Sequence, residues 1–443
     1  MWFSEADSSA LGRCLAQVAD ADADAIDLFL ERKLESELRS EEPGPGVVER
    51  RDQGFAVRLV REGQTYLAAR DGFGTRALES ALRDVARVSP AAPYRVPQLA
   101  PPEAFGGPID AGSEPDYQEL AGFAALIRQR VRERHSAFEF RLRLARLRRE
   151  LQIVGRRLVP GAETETLFSF DVSTPWGRFG SLSADLGADA AAGIADCLIG
   201  RFQARAHKPM RHFAGPLVLG PAATAVLLHE AVAHALETDT LVLSGRPEAA
   251  IGVSLGSELL DVLDSPGDLP EGLRRTTDDE GLPVLKRWLL QRGEVSQPLA
   301  DRFHAGLSSH LLPGAARRES RHVPPGPRST HLELLAGESS DQDLLAGKKG
   351  VYLPEISRGR LDPLSGELTV EFPYGRRFRS GELADWVGRS TLRGKVREIL
   401  AAVEAVGSRS VFAGAGWCAK AGQRLPVWAT CSGLRLAGLE AGP

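Results

Sequence analysis

The sequence predicts an α+β protein, in which an N-terminal α/β domain precedes a C-terminal domain of mostly antiparallel β-sheet with a motif-bearing helix. Residues with helical spacing and residues with strand alternation occupy separate runs of the chain, as is typical of α+β proteins. The second half adds many short strand-like runs between frequent glycines and prolines. We expect the domains to span 1–205 and 206–443, because the pattern changes just before the most informative motif.

The first hundred residues contain strand and helix signals in turn. The segment Ala25–Leu38 combines strand-like and helix-like patterns, so its secondary structure stays open. Apolar residues alternate through Phe55–Ala69, which predicts a hairpin with its turn at 62–63. Helical spacing follows over Thr75–Val88. The proline-rich segment 90–108 has little periodicity, and we expect a linker or an extended edge there.

The remainder of the N-terminal domain repeats this succession. Helical spacing returns over Asp116–Arg134, and strict alternation over Phe138–Leu144 predicts a half-buried strand. The runs Thr166–Phe170 and Trp176–Ser183 predict another hairpin.

The C-terminal domain is expected to be rich in β-strands. One hairpin is predicted from Pro283–Leu290 with Gly293–Leu299, and another from Glu367–Phe372 with 376–378. Apolar residues at helical spacing over 392–406 predict a helix, after which the chain returns to strand patterns up to Leu436.

Composition narrows the class of protein. Hydrophobic residues make up 43% of the chain and charged residues 26%, which is ordinary for globular proteins. The net charge of -4 lacks the basic excess of nucleic-acid binders, so direct nucleic-acid binding is not expected. The longest apolar stretch, 214–228, is shorter than the roughly 20 residues of a membrane span. Four cysteines without a C-x-x-C pair fit a reducing compartment. Because no leader pattern is evident either, we expect a cytoplasmic protein.

The chemistry is concentrated in the segment VLLHEAVAHALETD. Two imidazoles, His229 and His234, stand on either side of the Glu230 carboxylate, and neutral imidazole is a good ligand for zinc. The histidines are five residues apart, which on a regular α-helix places them roughly 140° from each other. A π-bulge around 231–234 would bring both rings to one face. From the spacing alone, a metal site and a pair of hydrogen-bonded core histidines both remain open.

A resemblance favours the metal site. The segment HEAVAHALETD resembles the signature H-E-A-x-G-H-x-L-E-x-D of the TldD/PmbA family of metallopeptidases, in its metal-bearing type. The segment Cys418–Val427 resembles the family's second motif, C-G-K-x-G-Q-x-x-P-V. Weaker similarity covers GVYL at 350–353 and LSGELTVEF at 364–372. The two motifs lie in the family's order, nearly 200 residues apart.

The resemblance implies a specific set of site residues. His229, His234 and Cys418 would bind Zn²⁺, or another divalent ion such as Fe²⁺, and leave a fourth position for water. Glu230 would be the general base. Glu237 is either a rival third ligand or, as we prefer, an outer partner that orients a ring N–H, a role for which Asp239 is also a candidate. Lys420 is another outer candidate and one guess for the group that stabilises the oxyanion.

Four positions depart from the family pattern. Ala233 and Ala419 stand where the family has glycine, and His331 lies in the segment that replaces the family's R-M-x-N. Lys395 differs from the G-N that the family often has near 393–395. His331 could bind substrate, but a surface position is preferred. The three metal-binding residues that the resemblance implies, His229, His234 and Cys418, are all present.

The predicted function is a metal-dependent peptidase that hydrolyses short or unfolded peptides with metal-activated water. The resemblance also implies a homodimer, or a heterodimer with a TldE/PmbA-like subunit. Two alternatives remain: a non-catalytic scaffold subunit of such a complex, and a topoisomerase-associated binding protein.

Overall fold

The computed structural model describes residue 15 and the ranges 25–39, 46–61, 63–87, 117–136, 138–155, 161–210, 212–245, 247–347 and 349–442. Within them the protein is α+β, with short helices and mostly antiparallel sheets, as predicted. No helix in these ranges is both long and apolar enough to cross a membrane. The predicted linker at 90–108 lies outside the described residues.

The N-terminal half is one antiparallel sheet with helices packed against it. The strand order is β3-β2-β1-β4-β5-β6. The elements, in chain order, are β1 (Ala25–Arg39), β2 (Gly46–Arg61), β3 (Gln64–Asp71), α1 (Thr75–Arg87), α2 (Tyr117–Arg134), β4 (Arg141–Gly155), β5 (Gly161–Thr174), β6 (Gly177–Ser183) and α3 (Ala188–Ala204). Both hairpins and both helices predicted here are confirmed.

In strand β1 both faces are buried, which is why the segment lacks the regular alternation of apolar and polar residues. Ile26, Leu28 and Leu30 face the apolar core that α1 covers. The alternate positions include Asp27 and Glu31, which are fully buried. Asp27 pairs with Arg58, and Arg58 also reaches Glu280 of the C-terminal half at 2.6 Å. Buried ion pairs therefore replace the polar, solvated face that strand alternation normally shows.

The described residues of the C-terminal half form three larger sheets and a two-stranded one. The first has the order β11-β10-β9-β14-β23-β22, the second β19-β18-β15-β8-β24-β21 and the third β16-β17-β20-β25-β7. Only the pairs β14–β23 and β15–β8 are parallel among the described strands. The strands are β7 (Phe213–Ala214), β8 (Leu217–Leu219), β9 (Val262–Asp264), β10 (Arg287–Gln291), β11 (Glu294–Val295), β12 (Ala316–Arg317), β13 (Gly326–Pro327), β14 (His331–Leu334), β15 (Gly350–Leu353), β16 (Arg358–Asp362), β17 (Glu367–Phe372), β18 (Gly375–Arg379), β19 (Glu382–Val387), β20 (Ser390–Lys395), β21 (Val403–Val406), β22 (Val411–Lys420), β23 (Gln423–Cys431), β24 (Leu434–Leu436) and β25 (Glu440–Gly442).

The helices of this half are short, and the first of them lies in the core between the sheets. They are α4 (Pro221–Leu228), a π-helix (His229–Ala233), α5 (His234–Leu236), α6 (Thr238–Ser244), α7 (Arg302–Ala305), α8 (Asp341–Leu344) and α9 (Val396–Ala401), with 3₁₀ turns at Pro247–Ala250 and Pro266–Asp268. Helix α4 begins with Pro221 in its first turn, where proline's missing N–H costs no hydrogen bond. Leu227, Leu228 and Val232 are fully buried against the strands, so the helix is fixed along its length.

Two predicted elements of this half are wrong. The runs 367–372 and 376–378 do not form a hairpin, because β17 pairs with β16 and β20 while β18 pairs with β15 and β19 in another sheet. The helix predicted over 392–406 is confined to Val396–Ala401, since β20 and β21 occupy its two ends. The hairpin of β10 with β11 and the β-rich C-terminus are confirmed.

Candidate metal centre

The two motif histidines lie on a widened helical turn. The backbone N–H of His234 donates to the carbonyl of His229, five residues earlier, within the π-helix His229–Ala233. The ring centroids are 4.4 Å apart, whereas a regular α-helix would direct the rings apart. The bulge predicted from the spacing is therefore confirmed.

Cys418, which lies on the β22–β23 hairpin, approaches the two histidine rings. Its tight turn consists of Ala421 and Gly422, both with positive φ (51° and 75°), as a type I′ turn requires. Three residues before this turn, Cys418 places its Sγ 3.4 Å from Nε2 of His234. One ligand atom from each of His229, His234 and Cys418 lies within 4.8 Å of the other two.

Each of the two rings has a hydrogen-bond partner at its Nδ1. Nδ1 of His234 is 2.8 Å from Oε2 of Glu237, and Nδ1 of His229 is 3.3 Å from Oγ of Ser329. Nε2 of His229 is buried and has no hydrogen-bond partner among the described residues. Both Nε2 atoms are thus left for a common ligand, which is the usual role of such outer partners in metal sites.

Glu237 and Lys420 form the support behind His234. Lys420 donates to Glu237, to Asp239 at 2.6 Å and to Thr240 at 2.9 Å. Glu237 contacts the ring nitrogen remote from Cys418, which fits the orienting role better than the rival ligand role. Asp239 contacts neither ring; it binds Lys420 and Arg328. All three N–H donors of Lys420 are engaged, so the idea that it stabilises an oxyanion is not supported.

The electrostatic environment differs between the two rings. Burial lowers the pKa of His229 to about 3, and the neighbouring His234 adds to this effect. Burial also acts to lower the pKa of His234, but Glu237 and Cys418 outweigh it and raise that pKa well above its usual value. Burial opposes ionisation of Glu237, yet His234 and Lys420 hold its pKa well below the usual range. His229 is therefore already in the neutral form that binds metals.

The side chain of Glu230 packs against strand β16. A Cβ on Gly359 would lie 2.3 Å from its Cγ, so the side chain packs directly on the glycine backbone. The backbone N–H of Leu361 donates to its carboxylate. Burial raises the pKa of Glu230, with Glu237 acting in the same direction and His234 against it. A buried carboxyl group with a raised pKa is suited to accept and return protons.

The donor set fits a zinc ion. With Zn–N near 2.05 Å and Zn–S near 2.3 Å, tetrahedral geometry separates N from S by about 3.6 Å and two nitrogens by about 3.3 Å. The observed distance of 3.4 Å between Sγ of Cys418 and Nε2 of His234 is close to the N–S value. The other two pairs of ligand atoms lie within 4.8 Å, so small side-chain rotations would bring them to zinc-binding distances. Nε2 of His229, which has no hydrogen-bond partner among the described residues, would bind the ion.

The position predicted for His331 is wrong, and the role of Ser329 was not predicted. His331 is neither on the surface nor free for substrate, since it is 2% exposed and bonds Thr430 and Ser265. Ser329, two residues earlier, is the partner of His229. A lone serine in a loop gives no sequence signal of such a contact.

Residues 214–439 match the family model described as the PmbA/TldA metallopeptidase C-terminal domain. The chain is 33% identical over 219 residues to a protein from Haemophilus influenzae named metalloprotease TldD homolog, covering 48% of this chain and 45% of the relative. A protein of the same name from Buchnera aphidicola is 30% identical over 234 residues, covering 51% and 48%. The matched part thus spans about half the length of these relatives.

Two solved structures share the fold over nearly the whole chain. TldE from Thermococcus kodakarensis superposes with a TM-score of 0.75 at 16% identity, covering 98% of this chain and 99% of its own. A Thermotoga maritima protein, described as a candidate modulator of a DNA gyrase, gives 0.72 at 16% identity with the same coverage. At such identities the likeness concerns the fold alone.

Proposed function

Because this chain belongs to the PmbA/TldD family, we propose that it is a metal-dependent peptidase whose metal is held by His229, His234 and Cys418. The observation that carries the proposal is the convergence of these three donors, one of which has a buried and unpartnered ring nitrogen. A structural histidine pair would have its buried nitrogens hydrogen-bonded instead. The names of the relatives, metalloprotease TldD homologs, support the same activity.

The donor set and its surroundings favour zinc, with iron(II) as the main competitor. A bound divalent ion supplies a Lewis acid that polarises the peptide carbonyl and makes water a better nucleophile. Ser329 and Glu237 hold the two rings in the orientation that keeps both Nε2 atoms available.

Glu230 is proposed as the proton carrier. Its carboxylate accepts a proton from the attacking water and returns it to the amine that leaves. Packing on Gly359 and the N–H of Leu361 restrict its rotation, so it acts from a fixed position.

The substrate is proposed to be a short or unfolded peptide, and the working assembly to contain two subunits. The second subunit is either another copy of this chain or a TldE-like protein, as the structural likeness to a protein named TldE suggests.

The test combines metal analysis with peptide digestion, using the full chain with and without a TldE-like partner. We expect stoichiometric zinc in the wild type and its loss in Cys418→Ser. Glu230→Gln should keep its metal, while cleavage falls by about 10²–10⁴-fold. Glu371→Gln, at a half-buried carboxylate of strand β17, is the matched control and should cleave normally.

Two results would contradict the proposal. Absence of metal from freshly purified wild type would favour the non-catalytic scaffold. Equal cleavage by the wild type and Glu230→Gln would remove Glu230 from the mechanism.

A further inference from the structure

A cavity of about 270 Å³ lies beside the candidate metal centre and takes no part in holding the metal. Three of its lining residues adjoin the centre. Ala235 directly follows His234, Leu361 donates its backbone N–H to Glu230, and Thr240 accepts a hydrogen bond from Lys420 at 2.9 Å. A group bound in this cavity would therefore be separated from the proposed proton carrier by Leu361.

The walls of the cavity combine an apolar floor with a basic rim. Ala235, Leu361 and Val396 contribute apolar surface, and the exposed residues Lys395 and Arg397 contribute positive charge. An apolar floor suits the methylene groups of a side chain, while a basic rim suits an anionic end group.

The two rim cations, Lys395 and Arg397, are the charged residues among those that line the cavity. Nζ of Lys395 donates to the carbonyl of Ser365 at 2.8 Å, which leaves two of its N–H donors without a partner among the described residues. Within the part of the chain that the structure describes, no carboxylate lies in ion-pair distance of Lys395 or Arg397. The Glu398 carboxylate accepts the backbone N–H of Lys395 instead. By contrast Arg393, on the same strand as Lys395, is paired with Glu367 at 3.0 Å.

We propose that this cavity binds a carboxylate of the peptide substrate, adjacent to the bond that is cut. The carboxylate is that of an acidic side chain or of the peptide's C-terminus, and Lys395 and Arg397 are the residues that select it. The proposal rests on the proposed peptidase function for its place in catalysis. Its recognition step depends only on the cavity and the two rim cations, so binding can be measured separately from cleavage.

The test measures binding of fluorescein-labelled octapeptides to the full chain carrying Glu230→Gln, by fluorescence anisotropy at low salt. One peptide has a central Glu and an amidated C-terminus, a second has Gln in place of Glu, and a third has Gln with a free C-terminus. Partly exposed ion pairs each contribute a few-fold, so we expect about tenfold tighter binding of whichever peptide presents its carboxylate to both cations. The preference should weaken as salt screens the charges.

Two sets of variants locate the effect. The double variant Lys395→Gln/Arg397→Gln should reduce the preference to within about twofold. Arg393→Gln is the control, because it removes a cation that is already paired and lies outside the cavity wall. Equal affinity for all three peptides, or a preference that survives the double variant, would overturn the inference.

Failure of the peptidase proposal would look different. If no peptide is cut by the wild type yet the binding preference depends on Lys395 and Arg397, the recognition site stands and the hydrolytic function does not. If peptides are cut without any preference for a carboxylate, the hydrolytic function stands and this inference is wrong.

Discussion

Replacing Glu237 tests whether the support behind His234 governs metal binding. Loss of an outer carboxylate typically weakens metal affinity by about 10–100-fold, or about 1.4–2.7 kcal/mol. Glu237→Gln keeps a carbonyl that can accept the Nδ1–H of His234 but loses the charge, and neutral hydrogen bonds are roughly half as strong as charge-assisted ones. We therefore expect about a tenfold loss for Gln and about a hundredfold loss for Glu237→Ala, which removes the acceptor as well.

The fold should survive both replacements, because Lys420 keeps its bonds to Asp239 and Thr240. Zinc affinity is measured by competition with a chromophoric chelator, and thermal unfolding of the metal-free proteins checks the fold. Glu371→Gln serves as the control for loss of a half-buried carboxylate elsewhere. Wild-type affinity in both Glu237 variants would refute the claim that this carboxylate orients the ligand ring.

Three further predictions concern Gly359, Cys431 and Asp278. Gly359→Ala would place a Cβ 2.3 Å from Cγ of Glu230, so we expect at least about tenfold less peptide cleavage with unchanged metal content. Gly394→Ala, whose Cβ would meet nothing closer than 3.4 Å, should cleave like the wild type. Burial raises the pKa of Cys431 to about 12, so native protein at pH 8 should react with iodoacetamide at this thiol more than about a hundredfold slower than unfolded protein, as mass spectrometry can check. Burial, with Glu280 beside it, raises the pKa of Asp278 to about 7. The native state then binds this proton more tightly than the unfolded state does. The free energy of unfolding should accordingly decrease between about pH 4 and pH 7, more in the wild type than in Asp278→Asn, as denaturant titrations at several pH values would show.

The sequence predicted the convergence of His229, His234 and Cys418 better than the pairing of the strands around them. The five-residue spacing of His229 and His234 has one local solution that brings both rings together, so the bulge followed from geometry. Cys418 was available only through the resemblance, because no local pattern connects residues that are 184 positions apart. The contact of Ser329 with His229 and the pairing of Glu237 with Lys420 join residues 100 and 183 positions apart, which short-range patterns do not connect.

The errors in the sheets have a related cause. Alternation over 367–372 identified a strand correctly, but it carries no information about which neighbour that strand pairs with. Likewise, the apolar residues Val396, Ile399, Leu400 and Val403 keep helical spacing although only the first three lie in α9. Val403 belongs to β21, where pairing with β24 decides the backbone conformation. Tertiary pairing overrides local periodicity at Val403, whereas at 367–372 it selects partner strands that periodicity does not specify.

The alanines that replace family glycines do not weaken the case for a metal-bearing chain. Ala233 adopts φ −62° and ψ −56°, which is ordinary right-handed helix, so the widened turn needs no residue with positive φ. Alanine is favoured over glycine in such a backbone by about 1 kcal/mol. Ala419 is an exposed residue of strand β22, where a Cβ points into solvent. The position of the two rings therefore depends on the number of residues between His229 and His234 and not on which small residue precedes His234. Changes of length within 230–233 should consequently disrupt the centre more than substitution of Ala233 does.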